Sequence, residues 1–356
     1  MQGPERGAER DFSVVIPAKD AAHMLPQVLD AVTASRPAPK EVILYDDGSS
    51  DDTGALAEAR GVRVIRNNGQ SFGPGVGRNR AVETVTTPYV VFVDADVVVE
   101  PDACGRLVDA MAEGDNVAAA FGAYGVFQAG SNIAAKYVNL RHHYFHVHGD
   151  QSAETFWSGL GAVNVEIFGK LGGFDSAFDR PSIEDIELGT RLRQLGYDIR
   201  LVHLARGTHL KNWTVGQTWH TDFFCRALPW STMIAEGRAP KILNVSRKEQ
   251  VKAILACLIV LSLLAAVVNP AVLVLTGLLS LGYLYANLRF YRTLLRHGGL
   301  PTMAASNGLH FAYYLYSTLA FAIATLGHQW RMLKARLASL LRPGRDRTSP
   351  ATHQAE

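Results

Sequence analysis

Two aspartates at the end of an apolar run are the residues of this chain best placed to do chemistry. Residues 89–96 read Tyr-Val-Val-Phe-Val-Asp-Ala-Asp, a run typical of a buried strand that ends in Asp94 and Asp96. Residues two apart in an extended chain point to the same side. Two such carboxylates repel each other unless a cation or hydrogen-bond donors compensate them, and a hard divalent ion carrying a diphosphate would do so. A solvated turn that ends the strand is the alternative interpretation.

Other acidic residues follow the earlier predicted strands. Asp20 comes after the first strand, and Asp46 and Asp47 come after the second. Parallel sheets bind ligands at the carboxyl ends of their strands, so these side chains should meet at one crevice. A nucleotide-binding crevice needs an acceptor for base and ribose donors, which Asp47 could supply. Taken alone, Asp46-Asp47-Gly48-Ser49 is better explained by an ordinary turn and helix cap, since Asp, Gly and Ser are the residues that such turns use.

A second acidic cluster, Ser182-Ile-Glu-Asp-Ile-Glu-Leu-Gly189, lies far downstream. The spacing of Ser182 and Asp185 is that of a capping box at a helix start, which would explain Asp185 without catalysis. The functional alternative makes Asp185 a general base facing the crevice. His209 could be a metal ligand, a phosphate contact or a surface histidine, and the histidines between positions 142 and 148 are expected on a solvated helix face.

The elements that must position these residues alternate between strands and helices. This order predicts an α/β fold with a doubly wound, mostly parallel sheet. A glycine-rich loop (Gly69, Gly73, Gly75, Gly77) should precede the helix that begins at Arg78. The predicted strands are Phe12–Pro17, Glu41–Tyr45, Val62–Arg66 and the run from Tyr89, and the predicted helices are Leu25–Ser35, Asp51–Arg60, Arg78–Val85 and Pro101–Glu113.

Length, net charge and cysteine content limit the kinds of protein that this chain could be. The 356 residues suggest one catalytic domain with an appendage, and a net charge of +2 does not favour nucleic-acid binding. The three cysteines are far apart and without metal-ligand spacing, as expected in a reducing compartment. The polar residues 1–11 form no apolar signal region, so the first domain should not be secreted, and we expect this segment to be disordered.

Two long uncharged stretches predict a membrane region at 241–330. Residues 253–288 contain no Asp, Glu, Lys or Arg, and at ~1.5 Å per residue one helix of that length would exceed a ~30 Å hydrocarbon layer. Because Asn269-Pro270 is a turn signal, we predict a helical hairpin, Ala253–Val268 and Ala271–Leu288. A third apolar helix, Leu309–Leu326, is expected in the membrane interface on the strength of its tyrosines, before a basic and partly disordered tail at 331–356.

Basic residues flank both ends of the hairpin, at 247–252 and at 289–296. Since basic residues collect on the cytoplasmic side, both ends should face the cytoplasm. This places the predicted catalytic domain, residues 12–240, on the cytoplasmic face of the inner (plasma) membrane.

Seven motifs in a fixed order resemble the family 2 inverting glycosyltransferases of the GT-A, or nucleotide-diphospho-sugar transferase, fold. The resemblance covers about residues 12–235. The motifs are Val14–Ala18, Asp46–Asp51, Gly77–Asn79, Asp94–Asp96, Gly161–Asn164, Leu171–Asp175 and Glu184–Gly189.

The resemblance implies roles for individual residues. Asp185 of the Glu184-Asp185 catalytic pair would be the base, and Asp96 would hold a Mg²⁺ or Mn²⁺ ion, with Asp94 on the donor's ribose or on the metal and His209 as a further metal ligand. The remaining donor-binding residues would be Pro17, Ala18, Asp20, Asp47, Arg78 and Ala95. The segment from His209 to Trp230 matches the Gln-x-x-Arg-Trp motif of processive members only loosely, which argues against a polymer synthase.

The expected function is transfer of a sugar, with inversion, from a nucleotide-diphosphate sugar to a lipid-linked or envelope-glycan acceptor. Transfer to polyprenyl phosphate is the alternative, in which an anionic nucleophile depends less on Asp185. A non-catalytic nucleotide-sugar-binding membrane protein and a sugar nucleotidyltransferase are the rivals from other classes. Which nucleotide, sugar and linkage are used is not predicted from the sequence.

Overall fold

The computed structural model describes residues 10–67, 69–114, 116–127, 130–149, 151–238 and 246–341. Residues 1–9, the predicted domain boundary at residue 240 and the tail from residue 342 lie outside these ranges.

Nine strands form one sheet in the described part of the chain, with the order β3-β2-β1-β4-β8-β6-β9-β5 and β7 paired with β9. The strands are β1 Phe12–Ala18, β2 Val42–Asp46, β3 Arg63–Arg66, β4 Tyr89–Val93, β5 Val97–Val99, β6 Val117–Tyr124, β7 Ser152–Ala153, β8 Leu160–Asn164 and β9 Asp198–His209.

The helices complete an α/β fold, as predicted. They are α1 Leu25–Thr33, α2 Thr53–Glu58, α3 Pro74–Val82, α4 Ala103–Ala112, α5 Ile133–Val147, α6 Val165–Lys170, α7 Glu184–Gln194, α8 Val215–His220, a π-helix Thr221–Ala227, α9 Leu228–Ala235, α10 Arg247–Ala266, α11 Val272–Ala286 and α12 Leu288–Leu341.

Two features differ from the sequence prediction. The sheet is parallel only across β3-β2-β1-β4 and between β6 and β9, because β8 runs antiparallel to both β4 and β6. Helix α3 begins at Pro74, so Gly75 and Gly77 belong to a helix and not to the predicted loop. Gly77 is needed there since a Cβ atom would lie 2.6 Å from the Tyr45 ring.

The alternation of side chains along β1 explains why the sheet is covered on both faces. Val14 and Ile16 pack into one core cluster with Leu25 of α1, whereas Val15 packs into the other with Phe92. All seven residues of β1 are buried. Since β1, β2 and β4 are parallel, their carboxyl ends, and the acidic residues that follow them, meet at one edge.

The apolar hairpin is confirmed as two helices, α10 and α11, joined at Asn269-Pro270. Helix α11 has 15 residues, about 22 Å at ~1.5 Å per residue, and so is short for one crossing. Helices α10 and α12 are long and apolar enough to span a membrane. Helix α12 bends at Gly299, whose φ is 77°.

The predicted third helix, 309–326, forms part of α12, and its tyrosines face the protein. Tyr314 is buried in a cluster that α5 shares with α10, α11 and α12. Tyr316 donates a hydrogen bond to Asp222 of the π-helix at 2.7 Å. The tyrosines that suggested an interfacial position therefore hold α12 against the catalytic domain, and where this helix sits in a membrane stays a prediction.

Candidate active site

A single cleft of about 1820 Å³ collects every residue that the sequence predicted for the site. It opens at the carboxyl edge of the parallel strands. The predicted residues that line it are Pro17, Ala18, Asp20, Asp47, Arg78, Asp94, Ala95, Asp96, Glu184, Asp185 and His209.

A buried guanidinium connects the two acidic motifs. The Nη2 atom of Arg78 lies 2.5 Å from Oδ1 of Asp94, and Nη1 lies 3.3 Å from Oε1 of Glu184. Arg78 is only 2% exposed, and its charge packs beside the Phe174 ring, 5.5 Å from the centroid. Arg78 is thus the ion-pair partner of both Asp94 and Glu184. This pairing suits Glu184 to a positioning role beside Asp185 more than to contact with a substrate.

Asp185 is held at the start of α7 without the predicted capping box. Ser182 instead donates its hydroxyl to the backbone oxygen of Cys225 at 2.9 Å. The carboxylate of Asp185 accepts hydrogen bonds from the backbone nitrogens of Ser158 and Ile186, at 3.1 and 2.8 Å. Burial and the adjacent negative charge of Glu184 raise the pKa of Asp185 to about 7. A carboxylate with that pKa can accept a proton near neutral pH.

Asp96 and His209 lie together because β5 pairs antiparallel with the end of β9. The Val97↔His209 register brings Nε2 of His209 to 3.4 Å from Oδ2 of Asp96. Asn139 of α5 holds the other ring nitrogen at 3.1 Å. His209 is 9% exposed, so the surface-histidine alternative is wrong.

This pair fits a divalent metal. Asp96 lines the cleft, and its Oδ1 atom is buried without a hydrogen-bond partner among the described residues. Burial disfavours the charged form of Asp96, but His209 and Lys211 outweigh it and lower the pKa of this carboxyl. Within the described residues no group of three or more such ligands is assembled. Mg²⁺-type ions commonly take one or two protein ligands and complete their shell with substrate phosphates.

The Asp47 carboxylate organises the loop before α3. It accepts hydrogen bonds from the backbone nitrogens of Phe72 and Gly73, both at 2.9 Å, and from the Ser71 hydroxyl at 2.7 Å. Asp20 accepts the backbone N–H of Ser50 at 2.7 Å. Both acids stand at the cleft, and their predicted contacts with the donor stay predictions.

Residues 13–171 match the sequence profile of the family described as "Glycosyl transferase family 2". The similarity to this family covers residues 13–171, which are less than half of the chain. The match ends before Asp185 and His209, so the roles of these two residues rest on their geometry in the cleft.

Relatives named for glycan or lipid-linked sugar biosynthesis are similar to a part of the chain. Undecaprenyl-phosphate 4-deoxy-4-formamido-L-arabinose transferase of Serratia proteamaculans is 37% identical over 120 residues, which are 30% of this chain and 36% of that protein. Succinoglycan biosynthesis protein ExoU of Rhizobium meliloti is 32% identical over 105 residues, 28% of this chain and 30% of that protein. The chain therefore spans about a third of the length of these relatives.

Among solved structures, a mannosyltransferase of Pyrobaculum calidifontis in complex with GDP-Man and Mn²⁺ is similar over 93% of this chain and 87% of that one. The TM-score is 0.48 and the identity 16%. A likeness this weak assigns no role to any residue here.

Several residues of the cleft were missed or misjudged from the sequence. The expectation of a solvated histidine face on α5 is wrong for His142 and His146, which are each 7% exposed and pack around Trp157. Burial lowers the pKa of His142 well below its ordinary value. Ser158 and Asn139, which hold Asp185 and His209, carry no sequence signal of their own, since Ser and Asn suit many turns and helices.

Proposed function

We propose that this protein is a membrane-anchored glycosyltransferase that moves a sugar, with inversion, from a nucleotide-diphosphate donor to a lipid-linked or envelope-glycan acceptor. The observation that carries the proposal is a carboxylate with a pKa of about 7, that of Asp185, in the same cleft as the Asp96–His209 pair. Asp185 can take a proton, and the Asp96–His209 pair can hold the donor's diphosphate through a metal ion.

Asp185 would act as the general base. The acceptor hydroxyl attacks the anomeric carbon, the bond from that carbon to the diphosphate breaks, and the hydroxyl proton passes to Asp185. Such proton transfer contributes about 10²–10⁴ in rate. A single displacement of this kind inverts the configuration without a protein nucleophile.

Asp96 and His209 would hold a Mg²⁺ or Mn²⁺ ion, with Asp94 at the donor's ribose or at the metal. When bound, such an ion neutralises the departing diphosphate and orients it. The Nη2 atom of Arg78 lies 2.5 Å from Oδ1 of Asp94, and this ion pair fixes the Asp94 carboxylate beside the proposed metal position. Pro17, Ala18 and Ala95, the other residues proposed to contact the donor, line the same cleft.

Transfer to polyprenyl phosphate is a second candidate. It is favoured by the relatives named for undecaprenyl phosphate and by Arg141 and Arg226, two further arginines that line the cleft. A phosphate oxygen needs no base, so Asp185 would matter less for that reaction.

The direct test incubates the full chain in nanodiscs with Mn²⁺, a panel of nucleotide sugars and a lipid extract. Release of nucleoside diphosphate together with a labelled lipid supports the proposal. Pyrophosphate release would identify a nucleotidyltransferase, and donor binding without turnover would identify a non-catalytic protein. Radiolabel in a phosphodiester that mild acid cleaves would select the polyprenyl-phosphate reaction.

The proposed sidedness has its own test. Single cysteines would replace exposed Lys170 of the catalytic domain and Pro270 of the hairpin turn, in a chain whose three native cysteines are alanine. In sealed right-side-out vesicles, a cytoplasmic catalytic domain predicts that a membrane-impermeant maleimide labels position 270 and spares position 170. The reverse pattern would place the catalytic domain outside.

A further inference from the structure

The cleft does not end at the catalytic residues. It continues between α10 and α12, where the same cavity that touches Asp96 and Asp185 is lined by residues of both helices. On α10 the lining residues are Glu249, Gln250, Ala253, Ile254, Cys257 and Leu258, and on α12 they are Tyr313, Tyr314, Ser317, Thr318 and Phe321. We call this extension the helix groove.

The helix groove is lined by apolar side chains at Ala253, Ile254, Cys257, Leu258 and Phe321, and it is open at its side. Its residues recur every three to four positions, so they form one stripe on each helix. Ile254, Leu258 and Phe321 line the cavity and are nevertheless 57%, 41% and 43% exposed. Both helices are long and apolar enough to cross a membrane, so the open side would face hydrocarbon and not water.

A cluster with surplus positive charge lies where the helix groove meets the cleft. Asp222 is buried and bound by Arg141 at 2.7 Å, and Tyr316 donates a further hydrogen bond to it at 2.7 Å. Burial disfavours the Asp222 carboxylate, but Arg141 and Arg226 outweigh this and lower its pKa, so one full negative charge is present. Arg141 is the nearer of the two arginines that face this charge.

Arg226 is the second cation of the cluster. It lies 3.4 Å from Oδ1 of Asp222, a carboxylate already bound by Arg141, and 3.2 Å from the uncharged ring of His142. Its side chain keeps 29% exposure and lines the cleft, above the Trp157 ring. Two guanidinium groups against one carboxylate leave one positive charge available for an anion, and guanidinium groups bind phosphate through paired hydrogen bonds.

We infer that the helix groove holds the hydrocarbon chain of a lipid acceptor and that Arg226 binds an anionic phosphate at the head of this lipid. The inference rests on the proposed function, which identifies the acceptor as a lipid. It goes further by giving the position of this lipid in the protein. The chain enters sideways from the bilayer past Leu258 and Phe321. The phosphate at Arg226 then fixes how far the head reaches toward Asp185 and the donor.

The test uses photocrosslinking, which does not require turnover. The full chain in nanodiscs receives a diazirine-bearing long-chain polyprenyl phosphate, and peptides that carry the label are identified by mass spectrometry. The result expected is label on α10 and α12 at the helix groove. Label spread evenly over the other lipid-exposed faces of these helices would overturn the proposal.

Two variants test the hydrocarbon site. Leu258→Trp fills the helix groove and is expected to lower groove labelling about tenfold. Leu263→Trp, on the opposite face of α10 and 49% exposed, is the matched control that should label normally. Equal labelling of both variants would refute a chain-binding groove, and donor binding measured in parallel reports whether each variant is folded.

Arg226 is tested with the phosphate and with the matching polyprenol. Arg226→Ala should weaken capture of the polyprenyl phosphate about tenfold and leave the polyprenol unchanged, with Arg226→Lys in between. Equal capture of both lipids by the natural protein would overturn the phosphate assignment. If labelling follows this pattern but no sugar transfer occurs with any donor, the lipid site stands and the proposed function fails.

Discussion

The Nε2 atom of His209 lies 3.4 Å from Oδ2 of Asp96, and the second oxygen of this carboxylate is buried without a partner. The relationship joins the carboxyl end of β9 to the residue before β5. In the proposed function, these two side chains would be the metal ligands that the protein supplies.

Asp96→Asn should abolish metal-dependent transfer, because the amide loses the charge that holds the ion. His209→Ala should weaken Mn²⁺ binding while leaving a residual site. Both effects are read from Mn²⁺ titrations of donor turnover and from electron paramagnetic resonance of bound Mn²⁺ in the presence of donor. His148→Ala, which removes an exposed histidine of α5, is the control. Unchanged Mn²⁺ titrations in Asp96→Asn would remove the metal assignment.

Asp185→Asn should lower kcat by about 10²–10⁴ with donor affinity retained, since only the proton acceptor is lost. In the natural protein, kcat/KM for a hydroxyl acceptor should fall as the pH drops through about 7, where Asp185 becomes protonated. The pH profile of steady-state turnover measures this. A profile flat from pH 5 to pH 8 would contradict the role of Asp185 as base.

The same carboxylate should limit stability at alkaline pH. Because its pKa is raised from 3.8 to about 7, the folded protein binds more protons at Asp185 than the unfolded chain between these values. Its contribution to the free energy of unfolding therefore falls as the pH rises through this window. We expect Asp185→Asn to have a higher Tm than the natural protein at pH 8, with the gain shrinking by pH 4. A gain that is equal at both pH values would point to another cause.

Arg78→Ala should destabilise the domain by about 3–5 kcal/mol, because it leaves the buried Glu184 carboxylate, and the partly exposed Asp94 carboxylate, without their cation. Thermal unfolding of the purified protein measures the loss. Arg106→Ala removes an arginine from an exposed pair with Asp102 and should change Tm little. Equal shifts for the two variants would mean that Arg78 does not hold the acidic motifs together.

Gly159→Ala should disrupt the wall of the site. A Cβ atom at this position would collide with the Tyr124 hydroxyl and come within 3.0 Å of Oδ2 of Asp94. We expect a lower Tm and a large loss of turnover. Gly169→Ala in α6 meets no atom within 4 Å and should be neutral or stabilising, since alanine favours helices. Normal turnover in Gly159→Ala would show that this contact is dispensable.

Much of the site followed from local sequence. The alternation of strands and helices predicts a parallel sheet, and parallel strands carry the residues after them to one edge, which is the physical reason to expect Asp20, Asp47 and Asp94 together. The structure pairs β1 with both β2 and β4. The charge-free run of residues 253–288 likewise fixed the hairpin, because such a stretch is rare outside a membrane or a large core.

Tertiary structure alone decided what each of these groups touches. The partners of Asp185, Asp96 and Arg226 come from the turn before β8, from β9 and from α5, which are distant in sequence. Local patterns carry no information on such pairings. His142 and the tyrosines of α12 were misplaced for the same reason, since a polar or aromatic residue is buried only when another element covers it. The sequence determined which kinds of side chain gather at one edge of the sheet. The packing of α5, α10 and α12 against that edge decided which of these side chains are paired and which are free to react. The same packing formed the groove where a lipid could enter.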